Sequence, residues 1–226
     1  MSEPTVQMRD VAFAYPKNGF HLEVPAFHLA PGERVAVVGP SGTGKTTLLH
    51  LIAGILKPHQ GEVWVAGHSV SALSESRRRS FRAAHIGFVF QDFELVDYLS
   101  AWENILYPYR IAPGLVLSDT VRARAHALAV AAGVDGILDR RPGKLSQGEK
   151  QRVSVCRALL AKPEVVLADE ATGNLDPENK QRILDLLFER AAESGASVLA
   201  VTHDHALLPS FDRVVDFIDF RRAQAA

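Results

Sequence analysis

The sequence predicts an α/β fold on a mainly parallel sheet, with short strands at its start and a helical subdomain inserted in its middle. Three observations predict it. The apolar stretch Arg34–Val38 runs into a glycine-rich turn and then a helical pattern. Residues 165–168 are continuously apolar, as a strand covered on both faces is, residues 197–201 read as another buried strand, and helical patterns alternate with them. Residues 92–145 instead carry helical patterns with no strand between them.

The elements follow in order. Residues 6–13 and 20–29 carry β-branched and aromatic residues, punctuated by Pro16-Lys17-Asn18-Gly19 and Pro31-Gly32. Residues 46–56 read as a helix, with Leu48, Leu49, Leu51, Ile52 and Ile55 at i+3/i+4 spacing and Gly54 as a weak spot. Residues 61–67 read as an edge strand and 86–90 as a buried one. The middle holds an alanine-rich helix over 119–132, with breaks at Pro108, Pro113-Gly114, Gly133 and Pro142-Gly143. A helix over 149–161 leads to the strand at 165–168. A helix over 177–193 has Ile183, Leu184, Leu187 and Phe188 on one side and stops at Gly195.

Composition removes several classes of function. The 226 residues carry 25 Lys+Arg against 26 Asp+Glu, a net charge of −1, without the basic surplus of a sequence-independent nucleic-acid binder. The single cysteine, Cys156, excludes an internal disulfide and reads as a small buried hydrophobe. No uncharged apolar run approaches the roughly 18–20 residues that span a bilayer, and Met-Ser-Glu-Pro-Thr does not open a secretory signal. The expectation is a cytoplasmic protein whose membrane role, if any, is peripheral.

The chemistry begins at Gly39, Pro40, Ser41, Gly42, Thr43, Gly44, Lys45 and Thr46, which match G-x-x-x-x-G-K-[ST] between a strand and a helix. Glycines let successive backbone N–H groups turn inward on phosphates, and the helix start adds a positive dipole end. Lys45 reaches the β- and γ-phosphates, Thr46 offers a hydroxyl to Mg²⁺, and Thr47 can offer another to phosphate. Asp169-Glu170 ends a buried parallel strand, where open α/β sheets bind ligands. Asp169 suits Mg²⁺, through water, and Glu170 can orient and deprotonate an attacking water.

Six elements in one order resemble the nucleotide-binding subunit of ATP-binding cassette (ABC) transporters, over nearly the whole chain. Tyr15, after Phe13-Ala14, matches the aromatic that stacks on adenine, though it also reads as a core or surface aromatic. Gly39 to Thr46 matches the Walker A loop. Gln91, after Phe88-Val89-Phe90, matches the glutamine that touches Mg²⁺ and links to the membrane partner. Leu145-Ser146-Gln147-Gly148-Glu149 matches the signature motif. Asp169-Glu170 matches the Walker B end and Asn174-Leu175-Asp176 the D-loop. His203, in Val201-Thr202-His203-Asp204, matches the switch histidine.

The resemblance implies a P-loop NTPase core with a mixed, mainly parallel sheet, an N-terminal antiparallel β-subdomain and an inserted α-helical signature subdomain. The whole chain, 1–226, is then one ABC ATPase domain: 1–91 and 163–226 form the RecA-like core with the β-subdomain, and about 92–162 the helical insert. It implies an ATPase using ATP and Mg²⁺, with Glu170, His203, Lys45 and Gln91 catalytic and Thr46, Gln91 and Asp169 toward the metal. Ser146 and Gly148, before a helix near Glu149, make a second anion site for nucleotide held by another subunit, with Asp176 nearby. The implied assembly is a head-to-tail homodimer with ATP between its subunits, on the cytoplasmic face of a bacterial inner membrane. A separate integral permease would dock near residues 91–104; no nucleic acid is expected.

The run Ala168-Asp-Glu-Ala-Thr-Gly-Asn-Leu-Asp176 resembles the group that serves lipoprotein release, macrolide export and bacterial cell division. Three residues depart from the pattern: Gln147 for glycine, Glu149 for glutamine and Ala171 for proline. They leave open a regulatory binder that barely turns ATP over. A DNA-repair ATPase is disfavoured, because only about 100 residues separate Lys45 from Ser146, without sustained heptads. A ribosome-acting type carries two cassettes and this chain has one. Arg77, Arg78, Arg79 and Arg82 read as a solvated helix face or a lipid-headgroup contact, and Arg221-Arg222 equally so. The aromatics and aliphatics of 92–104 read as a docking groove or as core.

Overall fold

Two sheets share one apolar layer. The computed structural model describes residues 3–16, 20–173 and 177–222. The first sheet is antiparallel, in the order β2 (His21–Leu29), β1 (Val6–Ala14), β4 (Gln60–Val65) and β5 (His68–Ser69). β2 lies at the edge, where Pro25 removes no ladder hydrogen bond from a second neighbour. The stretch expected as an edge strand is β4, which instead sits between β1 and the two-residue β5.

The second sheet runs β6 (Ile86–Val89), β7 (Val165–Asp169), β8 (Ser197–Val201), β3 (Arg34–Val38) and β9 (Arg213–Asp216), and all four pairings are parallel. Period-two alternation explains the continuous apolar runs. Val165 and Leu167 of β7, with Leu199 and Val201 of β8, face the layer shared with the first sheet and with α1 (Lys45–Ile52). Val166, Ala168, Val198 and Ala200 face the other way, onto Ile183, Leu184, Leu187 and Phe188 of α6 (Pro177–Ser194). Helix α1 ends four residues short of the expected boundary, because Gly54 takes a left-handed φ of 63° and stops it.

The charged run at 77–82 lies on α2 (Glu75–His85), and its inward half is not solvated. Arg78 donates from Nε to Gly54 O and from Nη1 to Leu73 O, each at 3.1 Å, and Arg82 donates to Ala53 O at 3.3 Å. The bonds to Gly54 O and Ala53 O satisfy carbonyls at the C-terminal end of α1, where cations are favoured. Only Arg77 and Arg79 face solvent. The side chains of Arg221 and Arg222 lie outside the described residues.

Three helices, α3 (Ala101–Ile111), α4 (Asp119–Ala131) and α5 (Gln147–Leu159), enclose a third apolar cluster. Val121, Ala125 and Ala129 form its α4 stripe. Helix α5 is apolar on two sides: Val153 and Cys156 enter this cluster, while Val155, Ala158 and Leu159 pack with the parallel sheet and α6. It therefore joins the helical region to the sheet. Gly87 permits that approach, since a Cβ there would lie 2.4 Å from Ala158 O. β9 and α7 (Ile218–Arg222) were not foreseen; β9 alternates in exposure, and Phe217, between the two, is fully buried.

Candidate active site

The strand β3 delivers the chain into the loop 39–44, and α1 starts directly after it. Gly44 takes φ 111°, and a Cβ there would sit 2.6 Å from Phe20 Cζ. Only glycine meets both demands. Lys45 is buried, and its Nζ donates to Gly39 O and Pro40 O at 2.8 Å each, while Thr43 Oγ1 donates to Pro40 O. The lysine ammonium is held over the loop by its carbonyls, and a cation beside a glycine-rich turn at a helix start suits phosphate oxygens.

One cavity of about 430 Å³ opens over this loop. Tyr15, Ser41, Gly42, Gly44, Lys45, Thr46, Thr47, Gln91 and Glu170 all line it. Residues from four distant stretches of sequence thus meet at the C-terminal ends of β3, β6 and β7. Tyr15 OH lies 3.4 Å from Thr47 Oγ1, so that hydroxyl has a protein partner. Phe20, which sequence reasoning did not single out, lines the cavity beside Tyr15, the ring centroids 5.7 Å apart. The hairpin register was the available signal: Ala14 pairs with His21, which sets 15 and 20 opposite one another.

Asp169 is buried at the end of β7. Burial raises its carboxyl above the ordinary range; the Thr46 hydroxyl hydrogen-bonded to it, then His50 and Lys45, act in the opposite direction. Glu170 follows in a left-handed backbone conformation, φ 45°, held by its N–H on Val201 O at 3.0 Å and by Gly173 N–H on Glu170 O at 2.9 Å. Such strain costs on the order of 1–3 kcal/mol and persists where neighbours over-determine it. His203 Nδ1 lies 3.3 Å from Glu170 Oε2.

Ser146 and Gly148 do not line this cavity. Ser146 is the N-cap of α5: its Oγ accepts from Glu149 N at 3.2 Å, and Glu149 Oε2 accepts from Ser146 N at 2.7 Å. The Glu149 carboxylate therefore folds back over the helix start instead of pointing along the helix, with Arg140 4.0 Å away. The hydrogen bond from Ser146 N holds its carboxyl below the ordinary range. Asp176, with Asn174 and Leu175, lies outside the described residues.

The segment 92–104 divides. Phe93 and Asn104 are buried, and Asn104 bonds the backbone of Val96, Leu99 and Ser100, whereas Tyr98 is 73% exposed. Beside it an apolar cavity of about 350 Å³ lies between α2, β6, α3 and α5, lined in part by Phe88, Phe90, Glu94, Tyr107, Pro108 and Ile111.

A family model described as ABC transporter matches residues 22–173. The chain belongs to the ABC transporter family. It is an ATP-binding, ATP-hydrolysing subunit of that family. The lipoprotein-releasing system ATP-binding protein LolD of Pseudomonas fluorescens is 42% identical over 219 residues, covering 95% of this ABC chain and 96% of its own. LolD 1 of Rhodospirillum rubrum is 45% identical over 185 residues, covering 82% and 81%. A dimeric post-hydrolysis structure of the cassette MJ0796, bound to ADP and Pi, superposes with a TM-score of 0.83 at 32% identity over 93% of each chain. CbiO1 of Clostridium perfringens, part of the cbiONQ transporter complex, reaches 0.82 at 27% identity, covering 95% of this chain and 85% of its own. ABC cassettes form dimers and work with membrane permeases. Among the described residues, no helix of this one is long and apolar enough to cross a membrane.

Proposed function

We propose that the whole chain is one cassette that closes on a second copy around Mg-ATP and drives a separate inner-membrane permease of the lipoprotein-releasing kind. The helical region of about 92–162 is the insert between the core segments 1–91 and 163–226. The observation that carries this reading is that Lys45, Thr46, Gln91 and Glu170 share one cavity while Ser146 caps a helix away from it. In this reading the triphosphate rests on residues 39–47, with Lys45 transferring its charge from the loop carbonyls to the β- and γ-oxygens. Tyr15 stacks on the base. Ser146 and Gly148 of a second copy grip the γ-phosphate, with Asp176 beside them.

The donors present suit Mg²⁺. Asp169 and Thr46 offer two hard oxygens already hydrogen-bonded to each other, and no described group of three or more His, Cys, Asp or Glu forms a complete cage. Such an ion would take its other ligands from phosphate, water and Gln91. Bound there, it would neutralise charge on the β- and γ-oxygens. Glu170 takes the proton of the attacking water, and His203, against that carboxylate, holds it in position and faces the γ-phosphate. Closure is favoured because ATP meets two protomers in the closed state and one in the open state.

The similarity to LolD at 42–45% identity supports the lipoprotein-releasing assignment. The apolar cavity beside residues 91–104, with Ile111 58% exposed at its rim, supports docking of a short permease helix there. Size exclusion of the Glu170→Gln variant tests the scheme. A shift from monomer to dimer is expected with Mg-ATP and not with Mg-ADP; a monomer at saturating ATP would refute it.

A further inference from the structure

The turn after Gln91 is strained and tightly held. Phe93 and Glu94 both adopt left-handed backbone, φ 62° and 48°, although neither is glycine. Their two carbonyls point at one guanidinium. Arg157 Nη1 donates to Glu94 O at 2.5 Å and Nη2 to Phe93 O at 2.6 Å, and Ser154 Oγ adds a longer contact to Phe93 O at 3.4 Å. Arg157 is only 9% exposed. Burial pushes its guanidinium down to about 10, which leaves it charged at neutral pH. A planar fork gripping two successive carbonyls fixes both the position and the twist of the turn, as a single flexible ammonium does not.

Both donors stand on α5, the helix that Ser146 caps. The eleven residues from Ser146 to Arg157 span about 16 Å of rigid helix. The same side chain thus ties the loop carrying Gln91, at this protomer's own cavity, to the helix presenting Ser146.

We infer that Arg157 is a positioning residue for ATP hydrolysis: its bidentate grip on Phe93 O and Glu94 O sets the place of Gln91 at the cavity and locks that loop to the Ser146 helix. The inference rests on the reading of Gln91 proposed above. It is not a requirement of core packing alone, since Arg157 contributes nothing to apolar burial that a methionine would not.

A double-mutant cycle on the full chain tests it, with steady-state ATPase and thermal unfolding as readouts. Gln91→Ala is expected to lower kcat about ten- to a hundred-fold, with KM for ATP within about twofold. Arg157→Met is expected to do the same, and the double variant no worse than the poorer single one. Arg157→Lys, which keeps the charge but reaches one carbonyl, is expected to recover part of kcat; it also carries the cycle if the methionine variant does not fold. If Gln91→Ala leaves kcat unchanged, the reading of Gln91 falls and this inference with it. If Gln91→Ala lowers kcat but the Arg157 effects multiply with it, or track only the loss of thermal stability, the inference alone is overturned.

Discussion

His203 Nδ1 stands 3.3 Å from Glu170 Oε2, and the backbone carrying that glutamate is bent into a left-handed turn pinned to Val201 O. The strain aims one carboxylate into the cavity over the loop 39–44, and the histidine limits where it can swing. Glu170→Gln removes the proposed proton acceptor and keeps the shape. Its kcat should fall about 10²–10⁴-fold with KM for ATP within about twofold. His203→Ala should fall about tenfold or more in kcat, measured by phosphate release.

Burial raises Asp169, so its charge opposes folding. A carboxyl whose folded pKa lies above its unfolded value is favoured in the folded chain only while protonated. The penalty is absent below the ordinary value of 3.8, grows through the raised folded value and is complete at neutral pH. Asp169→Asn should therefore melt about 2–4 °C higher than the parent chain at pH 7, with the gap closing toward pH 4. The same variant should lose Mg-dependent hydrolysis. Differential scanning fluorimetry across pH, beside an ATPase assay, checks both.

Glu149 opposes two effects at one helix end. Its carboxylate caps Ser146 N and favours the dipole of α5, yet it adds negative charge where a second copy's γ-phosphate would bind. Its pKa is lowered, so the capping stability is fully present above the ordinary value of 4.5 and is lost as pH falls through the folded value. Glu149→Gln should cost about 1–3 °C at pH 7, a cost that shrinks in acid, while tightening the ATP-bound dimer of a Glu170→Gln background about two- to fivefold. Sedimentation at several protein concentrations reads the second effect.

Arg78 serves stability, not the reaction. Removing its two hydrogen bonds leaves Gly54 O, just past the end of α1, and Leu73 O, in the turn before α2, without their charged partner. Arg78→Ala should lose about 1.5–3 kcal/mol, a drop of roughly 3–10 °C in melting temperature. KM for ATP should not change. Arg77→Ala, at an exposed position, should do neither.

The chemistry was legible in the chain because it is local. A phosphate loop must be glycine-rich and followed at once by Lys45 and a helix start, and a carboxylate pair at the end of an apolar run announces a strand end. Such patterns occupy a few consecutive residues and need no partner to be read. Other features were decided only by tertiary packing. The inward turn of Arg78 and Arg82 and the grip of Arg157 on the 93–94 turn each depend on which backbone lies opposite. Long side chains leave their direction open until a neighbouring carbonyl, N–H group or ring supplies the partner. Those neighbours come from segments as far apart as residues 93 and 157, which only the closed fold brings together.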